Sequence, residues 1–177
     1  MQIQFYKPNP RNTGTAFSCN VAKGALWFNL IKQASWNDET KKGSFRANVK
    51  NPEKKLSIKF NAIEAAGMVD AINRNVEYSF IHPTKDSITN GKISPYLKDE
   101  KQIGYSFVSF RNKSPFLIGF TFGEAEMFKL FLKKFVESSF DSDAKDTLQD
   151  PDGDPSSVDS PTEEVAPKED SSGELEF

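Results

Sequence analysis

The chain has 177 residues, of which 37% are hydrophobic and 16 are phenylalanine, enough for one ordinary domain plus a tail. A single cysteine, Cys19, and a single histidine, His82, exclude an intrachain disulfide framework and a cysteine-rich zinc site, and any Ser-His-Asp or Cys-His mechanism would have to use His82. The formal net charge of −2 conceals a division: of 25 acids and 23 bases, residues 141–177 hold thirteen acids and two lysines (net −11), leaving twelve acids and twenty-one bases (net +9) in residues 1–140.

At the amino end, Met1-Gln2-Ile3-Gln4-Phe5-Tyr6-Lys7 lacks the basic start and long apolar run of a signal peptide. No segment has the uninterrupted apolar length of a membrane helix. These features lead us to expect a cytoplasmic protein kept in a reducing compartment. Strands are expected over Thr15–Val21, Ala25–Lys32, Ser44–Lys50 and Lys55–Phe60. In the last of these, Leu56, Ile58 and Phe60 alternate onto one face. Asn61 and Glu64 then have capping-box spacing, and Ala65, Met68, Val69 and Ile72 behind them have helical spacing. A second series follows, with strands over Glu77–Ile81, Gly91–Pro95, Gly104–Phe110 and Phe116–Thr121. Phe116, Ile118 and Phe120 share a face. Thr121 and Glu124 repeat the capping box before Ala125, Phe128, Leu132 and Phe135.

The two strand-to-helix units are sixty residues apart throughout, so the chain reads as a repeat. Four strands and a helix, twice over, predict an α+β fold with antiparallel sheets covered on one face. The copies span about 1–75 and 76–140 of a domain covering 1–140; residues 141–177 form a tail expected to be disordered, because Asp, Ser, Pro, Glu and Thr cannot bury enough apolar surface. The acidic run Asp150-Pro151-Asp152-Gly153-Asp154 lacks the glycine position and closing glutamate of an EF-hand loop. No metal, cofactor or catalytic residue is expected, and Glu64 and Glu124 are assigned to capping.

A basic body points to a polyanionic partner. Strand alternation sends Lys55, Ser57 and Lys59 away from the helix, with Arg46, Asn48 and Lys50 from the preceding segment. It also sends out Trp27, Asn29 and Ile31, with Lys32 and Trp36 just beyond. In the second copy Arg111 and Lys113 flank the last hairpin, and Tyr105 or Phe110 is a candidate outward aromatic. Cations interleaved with flat rings suit a single nucleic-acid strand: the former pair with phosphates and the latter stack on bases. The competing reading of each residue is structural, a packed Trp27 or a merely solvated lysine face.

The duplicated four-strand-plus-helix pattern resembles the Whirly and positive-cofactor-four type of single-strand binder, including the mitochondrial guide-RNA-binding proteins. Ala22-Lys23-Gly24-Ala25-Leu26 is similar to the Lys-Gly-Lys-Ala-Ala-Leu stretch of plant Whirly proteins, with one lysine missing. The resemblance implies sheets that face nucleic acid and helices packed inside or between subunits, so a homo-oligomer is possible. The end, Gly173-Glu174-Leu175-Glu176-Phe177, resembles the acidic, phenylalanine-terminated tails of bacterial and phage single-stranded DNA-binding proteins. That implies docking of Leu175, Glu176 and Phe177 on replication, recombination or repair proteins, in a bacterial or phage-infected cell. Together these readings predict a sequence-tolerant single-stranded DNA-binding protein without enzymatic activity. An OB barrel is the rival fold; an RNA-binding or transcription-modulating protein, or a protein-interaction module, is the rival function.

Overall fold

The computed structural model describes residues 1–85, 87–112 and 114–146, the last five of these as backbone only. The first copy contributes strands β1 (Gln2–Lys7), β2 (Thr15–Ala22), β3 (Ala25–Lys32), β4 (Ser35–Asn37), β5 (Lys42–Ser44) and β6 (Lys55–Phe60), then helix α1 (Ala62–Arg74). The second contributes β7 (Tyr78–Pro83), β8 (Ile88–Lys98), β9 (Lys101–Arg111) and β10 (Ser114–Phe120), then helix α2 (Phe122–Asp146). Two antiparallel four-stranded sheets result, in the orders β1-β2-β3-β6 and β10-β9-β8-β7; β4 and β5 pair only with each other. The sheets are open meanders, not a five-stranded barrel, and each runs from its last strand into a helix.

Both helix starts have the expected caps. Asn61 Oδ1 accepts from the Glu64 amide at 2.9 Å while Glu64 Oε2 accepts from the Asn61 amide at 3.0 Å. At α2, Glu124 Oε2 accepts from the Thr121 amide at 2.8 Å and Thr121 Oγ1 accepts from the Glu124 amide at 3.4 Å. Each cap satisfies amides that a helix start leaves without an intrahelical partner. Helix α2 continues to Asp146, past the composition change at Asp141.

The first sheet departs from expectation at two places. Ser44–Lys50 is not a strand: β5 ends at Ser44, and Arg46–Asn48 is a short 3-10 turn. Phe45, Ala47 and Val49 have the period-two spacing of a strand, but Ala47 and Val49 are exposed and the backbone bonds locally, Asn48 N to Phe45 O at 3.0 Å and Val49 N to Arg46 O at 3.3 Å. The Asn48 side chain pins this turn to the end of β3 by donating to Lys32 O (2.9 Å) and Gln33 O (3.1 Å). The fourth strand is instead β1, whose Ile3 and Phe5 turn inward while Gln2, Gln4 and Tyr6 turn outward. In the second sheet, the expected Gly91–Pro95 segment grows into the eleven-residue β8.

One core lies between the inner faces of the sheets and the two helices. Of the 16 phenylalanines, eleven are buried there, so most of the phenylalanine excess is core and not stacking surface. Phe17 and Phe28 of the first sheet meet Phe107 of the second at ring separations of 6.1 and 5.4 Å, and Phe128 of α2 closes on Phe28 at 5.5 Å and Phe120 at 5.3 Å. Ring pairs of this kind add about 0.5–1.5 kcal/mol each to simple burial. Tyr105 belongs to this core, donating to Ile72 O at 2.9 Å, and is not an outward aromatic.

Candidate nucleic-acid interface

Antiparallel register sets the outer face of the first sheet. One row across β1, β2, β3 and β6 reads Gln2, Asn20, Trp27, Lys59, and the next reads Gln4, Ser18, Asn29, Ser57. A third reads Tyr6, Ala16, Ile31, Lys55. The floor is polar and internally bonded: Ser57 Oγ donates to Asn29 Oδ1 at 2.7 Å, and Asn29 Nδ2 donates to Asn20 Oδ1 at 3.2 Å. The segment after β5 folds back over one end of this floor. Phe45 comes within 6.0 Å of the Tyr6 ring, and Arg46 and Val49 complete the wall of a cleft over Ser18, Asn29 and Ile31. A second cleft, bounded by Gln2, Asn20 and Lys55, shares that floor, so the two form one groove across the sheet.

The structure distributes the residues singled out in the sequence over three places. Trp27, Lys55 and Lys59 share the outer face, with Trp27 half-buried directly between Asn20 and Lys59. Arg46 stands over the other end of the groove, exposed because it lies on a turn and not by strand alternation; Lys50 follows that turn, also exposed. Lys32 and Arg111 lie at the junction of the sheets. Lys32 Nζ sits 4.7 Å from the centre of the Phe116 ring and donates to Ser114 Oγ at 3.0 Å, while Arg111 Nη2 donates to Ser57 O at 3.0 Å. Trp36 is apart, on β4, its indole nitrogen donating to Asp38 Oδ1 at 3.1 Å. Lys113 and the tail residues Leu175, Glu176 and Phe177 lie outside the described residues. The sequence reading missed Tyr6 and Phe45 as groove walls; the Gln2, Gln4, Tyr6 alternation against Ile3 and Phe5 was the available signal for the first.

Some of the described surface cations are neutralised in ion pairs, and those around the groove are not. Among the described residues, Lys7 pairs with Glu124, Arg74 with Asp70, Lys92 with Glu77 and Lys129 with Glu126. Arg46, Lys50, Lys55 and Lys59 form no ion pair there, so this face keeps its positive charge. Elsewhere the titratable groups have structural work. His82 Nε2 lies 2.5 Å from Glu64 Oε1, with its ring against Phe60 and Phe80. Burial pushes the Cys19 thiol well above its ordinary value, which leaves an inert core thiol and no nucleophile. Among the described residues no three His, Cys, Asp or Glu side chains converge as a metal site, and no helix is long and apolar enough to cross a membrane.

No family model and no curated protein matches the sequence. Solved structures do match in fold. The plant transcriptional regulator PBF-2 superposes with a TM-score of 0.58 at 10% identity, over 85% of this chain and 88% of that one. A guide-RNA-binding protein complex bound to its guide RNA gives 0.56 at 12%, over 79% and 90%. WHY1 from Arabidopsis thaliana gives 0.55 at 13%, over 87% and 96%. Two antiparallel four-stranded sheets, each closed by one capped helix, are thus a Whirly-like fold carried by a very different sequence.

Proposed function

We propose that the outer face of the first sheet binds single-stranded DNA with little sequence preference, as a non-catalytic coat during replication, recombination or repair. The observation that carries this reading is the groove: unpaired Arg46, Lys55 and Lys59 around a floor of amides and hydroxyls, edged by Trp27, Tyr6 and Phe45. Phosphates pair with the cations, and bases find both ring faces and hydrogen-bonding groups. The shared fold supports it, since one similar structure holds a guide RNA and another is a transcriptional regulator. The guide-RNA complex also favours a second reading, binding of single-stranded RNA at the same groove. Exposed Met127 and Leu130 on α2 give the helical side an apolar surface suited to self-association.

The tail belongs to the same proposal. Residues 141–177, at −11 beside a +9 body, compete with the strand for the basic face, and their Leu175-Glu176-Phe177 end recruits replication or recombination proteins. Titration of labelled DNA, RNA and duplex oligomers against the full chain tests the first part: tight, salt-sensitive binding of single-stranded DNA is expected, and equal or stronger binding of duplex overturns it. Truncation after Asp146 should strengthen single-strand binding most at low salt, where screening is weakest. Unaltered low-salt affinity would remove the competition.

A further inference from the structure

The outer face of the second sheet has a different chemistry and its own cleft, between the β7–β8 and β9–β10 turns. Phe110 is 40% exposed there, opposite Asn90 on β8 and Pro115 on β10. Ile88 and Phe110 supply the apolar surface of this cleft, and Asn90, Asn112 and Lys85 its amides and its cation. Asn112 also lines a second cleft, at the junction of the sheets, together with Lys32, Lys54 and Arg111. These three cations form no ion pair among the described residues, although Glu53 lines the same cleft. Partial burial and the neighbouring Lys54 ammonium hold Lys32 below its ordinary value, which marks a junction where positive charge is in excess. The junction and the Phe110 cleft are contiguous through Asn112, and Lys54 of the junction is followed in the chain by Lys55 of the first-sheet groove.

We propose that the Phe110 cleft is a nucleobase site: a single strand lying in the first-sheet groove crosses the Lys32–Lys54–Arg111 junction through its phosphates and stacks one base on Phe110. The ring provides the stacking face, the amides of Asn90 and Asn112 meet the base edge, and Lys85 meets a flanking phosphate. One chain thereby binds one continuous strand across both sheets. This rests on the single-strand reading above. It adds a second, aromatic station on a sheet that the charge pattern alone would leave unused.

The test uses the full chain and thymidine oligomers of graded length, with Phe110→Ala, Phe110→Leu and Lys54→Ala. Phe110 is on the outer face, so melting temperatures should stay near wild type, and Leu keeps the apolar contact while removing the ring. Both Phe110 variants should weaken binding of long oligomers roughly 5- to 150-fold, as expected for loss of one stacked base, and leave the shortest oligomers unaffected. Lys54→Ala should make the slope of log affinity against log salt shallower by about 0.7. Photo-crosslinking of the wild type to 5-iodouracil oligomers should label Phe110. Wild-type affinity at every length in both Phe110 variants, or crosslinks confined to the first sheet, would overturn the site while leaving groove binding intact. Loss of ring dependence in Phe110→Leu alone would overturn the stacking. If the wild type bound no oligomer of any length, this site and the groove reading would both fall.

Discussion

Simultaneous replacement of Arg46, Lys55 and Lys59 by alanine is the most direct perturbation of the groove. None of the three is in an ion pair among the described residues, and none is in the buried core, so the folded state should survive. If each side chain neutralises one phosphate, the slope of log affinity against log salt should become shallower by about 2.1, at about 0.7 per phosphate on a single strand. Between 50 and 200 mM salt the variant's affinity would then fall roughly 18-fold less than the wild type's. Fluorescence anisotropy of an end-labelled thymidine oligomer over a salt series measures this. Lys133→Ala with Lys134→Ala is the matched control, since both lysines are exposed on α2, away from the groove. Parallel salt plots for the triple variant and the wild type would refute the argument, because the phosphates would then be neutralised elsewhere.

Three other outcomes are expected. In a Trp36→Phe background Trp27 is the remaining one of the two tryptophans, and oligothymidine should quench it; Trp27→Ala should cost about 1–3 kcal/mol of binding, measured by the same anisotropy assay. Gly104 has φ +154° and a Cβ there would stand 1.9 Å from Phe120 O, so Gly104→Ala should lower stability by about 1–3 kcal/mol in urea melts, whereas Gly119→Ala, with open space around it, should be close to neutral. Burial raises the Glu124 carboxyl, but the Lys7 pair and the Thr121 bonds outweigh it and hold it below its usual value. Its stabilisation is therefore present above the unfolded carboxyl value of about 4.5 and lost as the pH falls through the lowered folded value, and Glu124→Gln should flatten the acid limb of a stability-versus-pH curve.

What was legible in the sequence was local. The caps at Asn61 and Thr121, the inward alternation of Leu56, Ile58 and Phe60, and the helical face of Ala125, Phe128, Leu132 and Phe135 depend on near neighbours, and each appears in the structure. The outward placement of Trp27, Lys55 and Lys59 follows from the same alternation. β1 escaped because Gln2–Lys7 offers only Ile3 and Phe5 as an apolar face. Ser44–Lys50 misled because a period of two in apolar residues does not specify where backbone bonds go, and the Asn48 amide decided that through β3. The junction was beyond sequence reasoning for a different reason. Arg111 reaches Ser57 across 54 residues and Lys32 reaches Ser114 across 82, and no local rule says which ends of two sheets will meet.

The duplication provides its own control for reading function. Sixty residues apart, the inward positions Leu56, Ile58 and Phe60 match Phe116, Ile118 and Phe120, all buried, because both sheets must cover the same core. The intervening outward positions do not match: Lys55, Ser57 and Lys59 correspond to Pro115, Leu117 and Gly119. These outward residues lie outside the buried core, so core packing does not account for their divergence. Solubility alone would be served by charge on either sheet. Among the described residues, Arg46, Lys55 and Lys59 around the first-sheet groove and Lys32, Lys54 and Arg111 at the junction form no ion pair, while Lys92, on the outer face of the second sheet, is 2.6 Å from Glu77 and neutralised. In the proposed reading the first copy's outer face supplies most of the phosphate-directed charge, while the second copy's outer face presents Phe110, Leu117 and Ile81. A nucleic-acid strand needs both kinds of surface, one for its backbone and one for its bases. Two copies of one architecture, with their outer faces divided in this way, supply them in a single chain.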